Sequence, residues 1–152
     1  MKITLIILAL VLIALFIFIF AKRSDDAMTS VGGIDDIEGN IEKIMRTTKK
    51  DAFLIAKVHG TSDFIQFSGD AKGVQLDFPL VTDRQKSMET AFRSVAKELN
   101  LQIVENRGSG GEHFLDIDIK GTAAEISFIV RTLMEKLFRV NQSTRIEYEL
   151  NA

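Results

Sequence analysis

The fold is decided by residues 74–99, VQLDFPLVTDRQKSMETAFRSVAKEL, where a strand pattern gives way to a helix pattern. From Val74 to Phe78 apolar and polar residues alternate, which predicts a strand with one buried face. Thr82 and Gln85 then have the spacing of a capping box, in which each side chain bonds to the backbone of the other. Apolar residues recur after them at intervals of three and four, so we expect a helix that covers the sheet.

The same pattern returns in residues 115–137, LDIDIKGTAAEISFIVRTLMEKL, with Thr122 and Glu125 as a second capping box. Further strand patterns lie at about 101–105 and 145–150. The order of elements is therefore strand, helix, strand, strand, helix, strand. This order predicts an α+β fold of the ferredoxin-like kind, a split β-α-β plait in which two helices cover one face of an antiparallel sheet.

The chain before the plait has three parts. Strand patterns at about 52–59 and 64–68 predict two additional N-terminal strands. A weak amphipathic helix is expected over 34–48, and residues 22–33 are polar and contain two glycines, which indicates a linker. The predicted domains are a membrane anchor with a basic flank (1–23), a linker with a short amphipathic helix (24–50) and a soluble α+β domain (51–152).

An uncharged and almost wholly apolar run extends from Ile3 to Ala21. At about 1.5 Å per residue it spans about 28 Å, close to the hydrocarbon core of a bilayer, so it predicts one transmembrane helix. The run ends in bulky residues and lacks the small residues of a cleavage site, which favours a retained signal-anchor. Lys2 flanks one end, and Lys22 and Arg23 flank the other. The positive-inside rule therefore favours a cytoplasmic soluble domain attached to the inner membrane of the cell.

Composition excludes several classes of function. The chain has 152 residues, enough for one soluble domain, and it has no cysteine, which excludes disulfides, thiol catalysis and thiolate metal sites. Its 21 acidic residues outnumber its 19 basic residues and give a net charge of −2, so nucleic-acid binding is not expected. The partners that the sequence predicts are a membrane, contacted through residues 3–21, and another protein.

Signals for catalysis are weak. The two histidines, His59 and His113, lie at strand boundaries, and a zinc site would need further ligands such as Asp116 and Asp118. The glycine-rich loop after Arg107 precedes a strand, whereas a phosphate-binding loop precedes a helix. We therefore predict no catalytic residue, no metal site and no cofactor.

Candidate partner-binding residues follow from strand alternation. In the last two predicted strands, four acids share the side opposite the apolar residues: Asp116, Asp118, Glu147 and Glu149. Arg107 and Ser109, in the flexible glycine-rich loop, form a second candidate contact because loops often carry binding residues.

These features favour a single-pass, membrane-anchored, non-catalytic interaction domain that binds a protein partner at the membrane surface. An immunity-type protein that neutralises a toxin domain and an accessory subunit of an envelope or secretion assembly are two versions of this function. The alternative is an enzyme or small-ligand sensor that uses polar residues on the open sheet face. That alternative would require several polar side chains to converge in one concavity.

Overall fold

The computed structural model describes residues 27–108 and 111–152, in which strands and helices alternate. The strands are β1 (Met28–Gly32), β2 (Phe53–Val58), β3 (Phe64–Asp70), β4 (Gly73–Pro79), β5 (Ile103–Arg107), β6 (His113–Lys120) and β7 (Ile146–Asn151). The helices are α1 (Ile37–Arg46), which follows a 3-10 turn (Ile34–Asp36), α2 (Asp83–Glu98) and α3 (Ala123–Phe138). The fold class is α+β, as the sequence predicts.

The seven strands form one sheet in the order β1-β7-β2-β3-β4-β6-β5, and all neighbours are antiparallel. The predicted plait is only partly right, because a ferredoxin-like sheet would place β7 beside β4. Here the hairpin of β2 and β3 lies between them. The additional strands therefore enter the centre of the sheet, and they do not extend it from one edge.

The linker predicted over 22–33 is wrong in its second half. Met28–Gly32 form β1, an edge strand that pairs with β7 from Met28 opposite Leu150 to Gly32 opposite Ile146. None of its five residues is buried, so the segment lacks the alternating burial that would mark a strand in the sequence. Its pairing with β7, which is far away along the chain, makes it a strand. Residues 22–26 lie outside the described residues.

Three helices, where the plait predicted two, cover one side of the sheet. α1 packs against α3 and against β2, β3 and β7. Its fully buried side chains are Ile37, Ile41 and Ile44, the apolar positions that marked it as an amphipathic helix. The short helix is therefore part of the folded domain, and its packing offsets the cost of Gly39 within it.

Both predicted capping boxes are present. The Thr82 hydroxyl accepts from the backbone N–H of Gln85 at 3.1 Å, and the Gln85 side chain accepts from the backbone of Thr82 at 3.0 Å. Thr122 and Glu125 make the equivalent pair of bonds at 3.3 and 2.8 Å. These contacts fix the first turns of α2 and α3 at the positions that the sequence predicts.

The hydrophobic core lies between the helices and one side of the sheet. Its largest fully buried side chains are Tyr148, Phe67, Phe78 and Phe92. The rings of Phe78 in β4 and Phe92 in α2 stack with centroids 4.5 Å apart. The Tyr148 hydroxyl donates to the Gly33 carbonyl at 2.7 Å, which ties β7 to the turn between β1 and α1.

Within the described ranges, no helix has the length and apolar character needed to cross a bilayer. The predicted transmembrane segment, residues 3–21, lies outside the described residues, as do its flanking residues Lys2, Lys22 and Arg23.

Candidate functional site

The candidate site is the side of the sheet opposite the three helices, here named the open face. Side chains alternate along a strand, so the residues between the buried core positions project from this side. The open face combines carboxylates, lysines and half-buried apolar side chains: Asp77, Asp116, Asp118, Glu147, Glu149, Lys57, Lys120, Phe53, Ile55, Phe64 and Phe114.

Three acids of the open face lie close together on the neighbouring strands β4 and β6. Asp77 is directly opposite Asp116 in the register, and Asp118 follows two residues later on the same side of β6. Gln75, opposite Asp118, donates from Nε2 to Oδ2 of Asp116 at 3.4 Å. We name Asp77, Asp116 and Asp118 the carboxylate cluster.

Asp116 is buried, although the sequence predicts a solvated acidic strand face. Only 5% of this residue is exposed, and within the described ranges its Oδ1 atom has no hydrogen-bond partner. It lies between Asp77 on one side and Val104 of β5 on the other. A buried acceptor without a donor costs about 1–3 kcal/mol, so Asp116 is held in an unfavourable environment. Asp118, at the same side of the strand, is exposed as predicted.

Burial and mutual repulsion disfavour charge on the carboxylate cluster. Burial, followed by the charges of Asp116 and Asp118, raises the pKa of Asp77 from 3.8 to about 7. Burial also raises the pKa of Asp116, a hydrogen bond from the Asn106 side chain lowers it, and the Asp118 charge raises it further. Near neutral pH, Asp77 is therefore divided between its acid and carboxylate forms.

Among the described residues, the carboxylate cluster has no ion-pair partner. None of the ion pairs between described residues includes Asp77, Asp116 or Asp118. Those ion pairs engage other acids: Asp35, Glu42, Asp63, Glu89, Glu98, Glu105 and Glu147. The negative charge of the cluster is thus uncompensated within the part of the chain that the structure describes.

The two predicted acids of β7 are on the open face but in a separate group. Strands β2, β3 and β4 lie between β7 and β6, so Glu147 and Glu149 are remote from the carboxylate cluster. Oε1 of Glu147 lies 2.6 Å from Nδ1 of His59, and its Oε2 lies 3.5 Å from Nζ of Lys57. The hydrogen bond with His59 lowers the pKa of Glu147. This acid is already paired, unlike those of the cluster.

The predicted loop contact is not on the open face. Arg107 ends β5 opposite His113, in register with the strand side that faces the helices, and it is exposed. Ser109 lies outside the described residues.

Asp77 is the residue of the site that the sequence pattern did not predict. Its alternation with Leu76 and Phe78 correctly assigned it to the polar side of a strand. Its importance comes from the pairing of β4 with β6, which places it opposite Asp116. The only signal in the sequence is the similarity of two alternating acidic strands, and such alternation does not specify which strands are neighbours.

A hollow of about 360 Å³ opens beside Asp118, where β3, β4 and β6 end. Its polar wall includes Ser68, Gln75, Asp118 and Lys120. Gly73 permits the close approach of β4 to β6, because a Cβ at this position would overlap the carbonyl oxygen of Ile119. The hollow is at the small end of the range of ligand pockets, about 300–1,000 Å³.

Among the described residues, no group of three or more acids and histidines is arranged to hold a metal ion. His59 contacts Glu147 in β7 and His113 contacts Glu105 in β5, so the two histidines lie towards opposite edges of the sheet.

Comparison of the chain with protein-family models, curated proteins and solved structures found no match. The function must therefore be inferred from the residues themselves.

Proposed function

We propose that this protein is a membrane-tethered, non-catalytic interaction domain that binds a basic surface of a protein partner through its open face. The observation that carries the proposal is the distribution of charge on that face. On the described strands of that face, six acids stand against two lysines: Asp70, Asp77, Asp116, Asp118, Glu147 and Glu149 against Lys57 and Lys120.

The mixture of charged and apolar groups on the open face supports protein binding. Phe53, Ile55, Phe64 and Phe114 are half-buried there and remain partly accessible. Aromatic side chains are enriched in protein interfaces, where a polar rim surrounds them. Opposite charges on a partner would speed association and orient the two surfaces.

The sequence before the described residues supports a tether. The uncharged run of residues 3–21, flanked by Lys2, Lys22 and Arg23, has the length of a membrane span. Only a few residues separate it from β1, so an anchor of this kind would hold the sheet close to the membrane surface.

Charge reversal on the open face tests the proposal. The full chain in neutral detergent is used to capture partners, which are identified by mass spectrometry and then purified for affinity measurements. The variant Asp118→Lys/Glu149→Lys reverses two accessible positions of the open face. We expect it to lose the partner while its circular dichroism spectrum is retained.

The matched control is Glu38→Lys/Glu135→Lys, which makes the same change in net charge at exposed positions of α1 and α3. It should keep the partner, and affinity for the unaltered chain should fall as salt is added. Equal loss from both double variants, or full affinity in the open-face variant, would refute the open face as the docking surface.

A further inference from the structure

We infer that Asp77, Asp116 and Asp118 bind one cationic side chain, the guanidinium of an arginine, on a protein partner. The inference rests on the proposed function, because it names the chemical group that the open face receives. It assigns a specific contact to the carboxylate cluster within a much larger surface.

The unsatisfied oxygen of Asp116 is the first observation that points to a ligand. Asp116 is 5% exposed and its carboxyl bonds to Gln75 and Asn106, yet its Oδ1 atom has no hydrogen-bond partner among the described residues. Buried polar atoms in folded proteins are almost always bonded, so this oxygen is able to accept a further donor. An N–H group that enters from the open face would supply this donor.

The uncompensated charge of the cluster is the second observation. The three carboxylates are close enough that the charges of Asp116 and Asp118 disfavour ionisation of Asp77. No lysine, arginine or histidine forms an ion pair with them in the described ranges. A cation from a partner would relieve this repulsion, whereas a neutral group would not.

The geometry favours a guanidinium over a metal ion. The acids are not arranged to converge on a single ion within the described chain. Asp77 and Asp116 lie on strands that are about 4.8 Å apart, and Asp118 is one full pleat further along. The guanidinium is planar and has five N–H donors, so it can bond to carboxylates on neighbouring strands at once. A lysine ammonium is a compact charge and bridges such a span less well.

The hollow beside Asp118 gives the rest of the arginine side chain a place to lie. It borders the cluster at Asp118, and the charged residues Asp70, Lys72 and Lys120 also line it. The aliphatic stem of an arginine packs well along such a surface while its head group bonds to the acids. The same arrangement would place the stem away from Lys57, on the other half of the open face.

Binding of the cation is expected to release a proton. Asp77 faces Asp116 and Asp118 of β6, whereas the nearest open-face residues of β3 and β5 are uncharged: Gln66, Ser68, Val104 and Asn106. Lys120 lies beyond Asp118, at the end of β6. A guanidinium beside Asp77 lowers its raised pKa, so affinity should increase from pH 6 to pH 8.

The test uses a tripeptide, acetyl-Gly-Arg-Gly-amide, added to the full isotope-labelled chain in neutral detergent. Its control replaces arginine with citrulline, which has a similar shape and no charge. We expect the arginine peptide to shift the NMR signals of β4 and β6 near the cluster and to lower the pKa read from the Asp77 carboxyl carbon. Asp77→Asn/Asp118→Asn should weaken binding by about tenfold or more, and Glu135→Gln, an exposed position of α3 on the helix side of the sheet, should leave it unchanged.

Several results would overturn the inference. These are equal binding of the citrulline peptide, shifts centred on β7, an Asp77 pKa that the peptide does not move, or unaltered affinity in Asp77→Asn/Asp118→Asn. The proposed function fails separately, when the captured partner binds independently of the open face. A partner that needs the open face but binds Asp77→Asn/Asp118→Asn normally would keep the proposed function and refute the arginine site.

Discussion

Replacing Asp77 with asparagine should change how stability depends on pH. Folding raises the pKa of Asp77 from 3.8 to about 7, so the folded chain holds this proton more tightly than the unfolded chain. The free energy of unfolding therefore falls as pH rises from about 4 to about 7 and is level above that range. A shift of this size corresponds to about 4 kcal/mol at about 1.36 kcal/mol per pKa unit. Because Asp77 is only half-buried, solvent screening reduces our expectation to about 2 kcal/mol.

Asp77→Asn keeps the size of the side chain and removes the charge, so it should be more stable than the unaltered chain by about 2 kcal/mol at pH 8 and about equally stable at pH 4. Urea unfolding of the full chain in neutral detergent measures this. Tyr148 is the only tyrosine, there is no tryptophan, and its buried ring reports on the core. Parallel pH profiles for Asp77→Asn and the unaltered chain would show that the Asp77 carboxyl is not perturbed by folding.

Three further predictions concern other parts of the chain. Gly39→Ala should raise the free energy of unfolding by about 0.5–1 kcal/mol, because nothing lies within 4 Å of the added Cβ and alanine favours helix; a decrease in urea unfolding would contradict this. Arg84→Ala should carry a cost in the free energy of unfolding, because Asp63, only 8% exposed, loses two hydrogen bonds of 3.0 Å. That cost should largely vanish in an Asp63→Ala background, so additive losses would argue against the pair. Residues 3–21 should remain on the mature chain, and N-terminal sequencing of the carbonate-washed membrane fraction should find a chain that still contains them; a soluble chain that begins after residue 21 would refute the anchor.

Local signals in the sequence predicted the elements, but not their arrangement. The capping boxes at Thr82 and Thr122 and the alternation in β4 and β6 depend on residues within a few positions of one another. The place of the β2–β3 hairpin depends on pairings between distant strands, which periodicity does not encode. The sequence did not predict β1 for a related reason: an edge strand without buried residues has the composition of a linker.

For the candidate site too, the sequence predicted the local features and not those that depend on strand order. Alternation assigned Asp116, Asp118, Glu147 and Glu149 to one side of the sheet, and the register agrees. It did not show that Asp116 is buried, because burial of a polar residue depends on what the neighbouring strands place around it. Alternation also did not show that Asp77 lies opposite Asp116, because that pairing depends on the order of the strands in the sheet.

The position of β7 has a consequence for how the protein is made. The final strand of the described chain lies between β1 and β2, and Met28 finds its partner Leu150 almost a full chain length away. The strands of the sheet therefore cannot all pair until residue 151 has left the ribosome. Until then, β1 has no strand to join and β2 has one unpaired edge, which is the condition in which nascent chains tend to aggregate. Pairings between such distant segments also make folding slow. The edges of β1 and β2 should thus stay unprotected by the sheet until β7 has been synthesised.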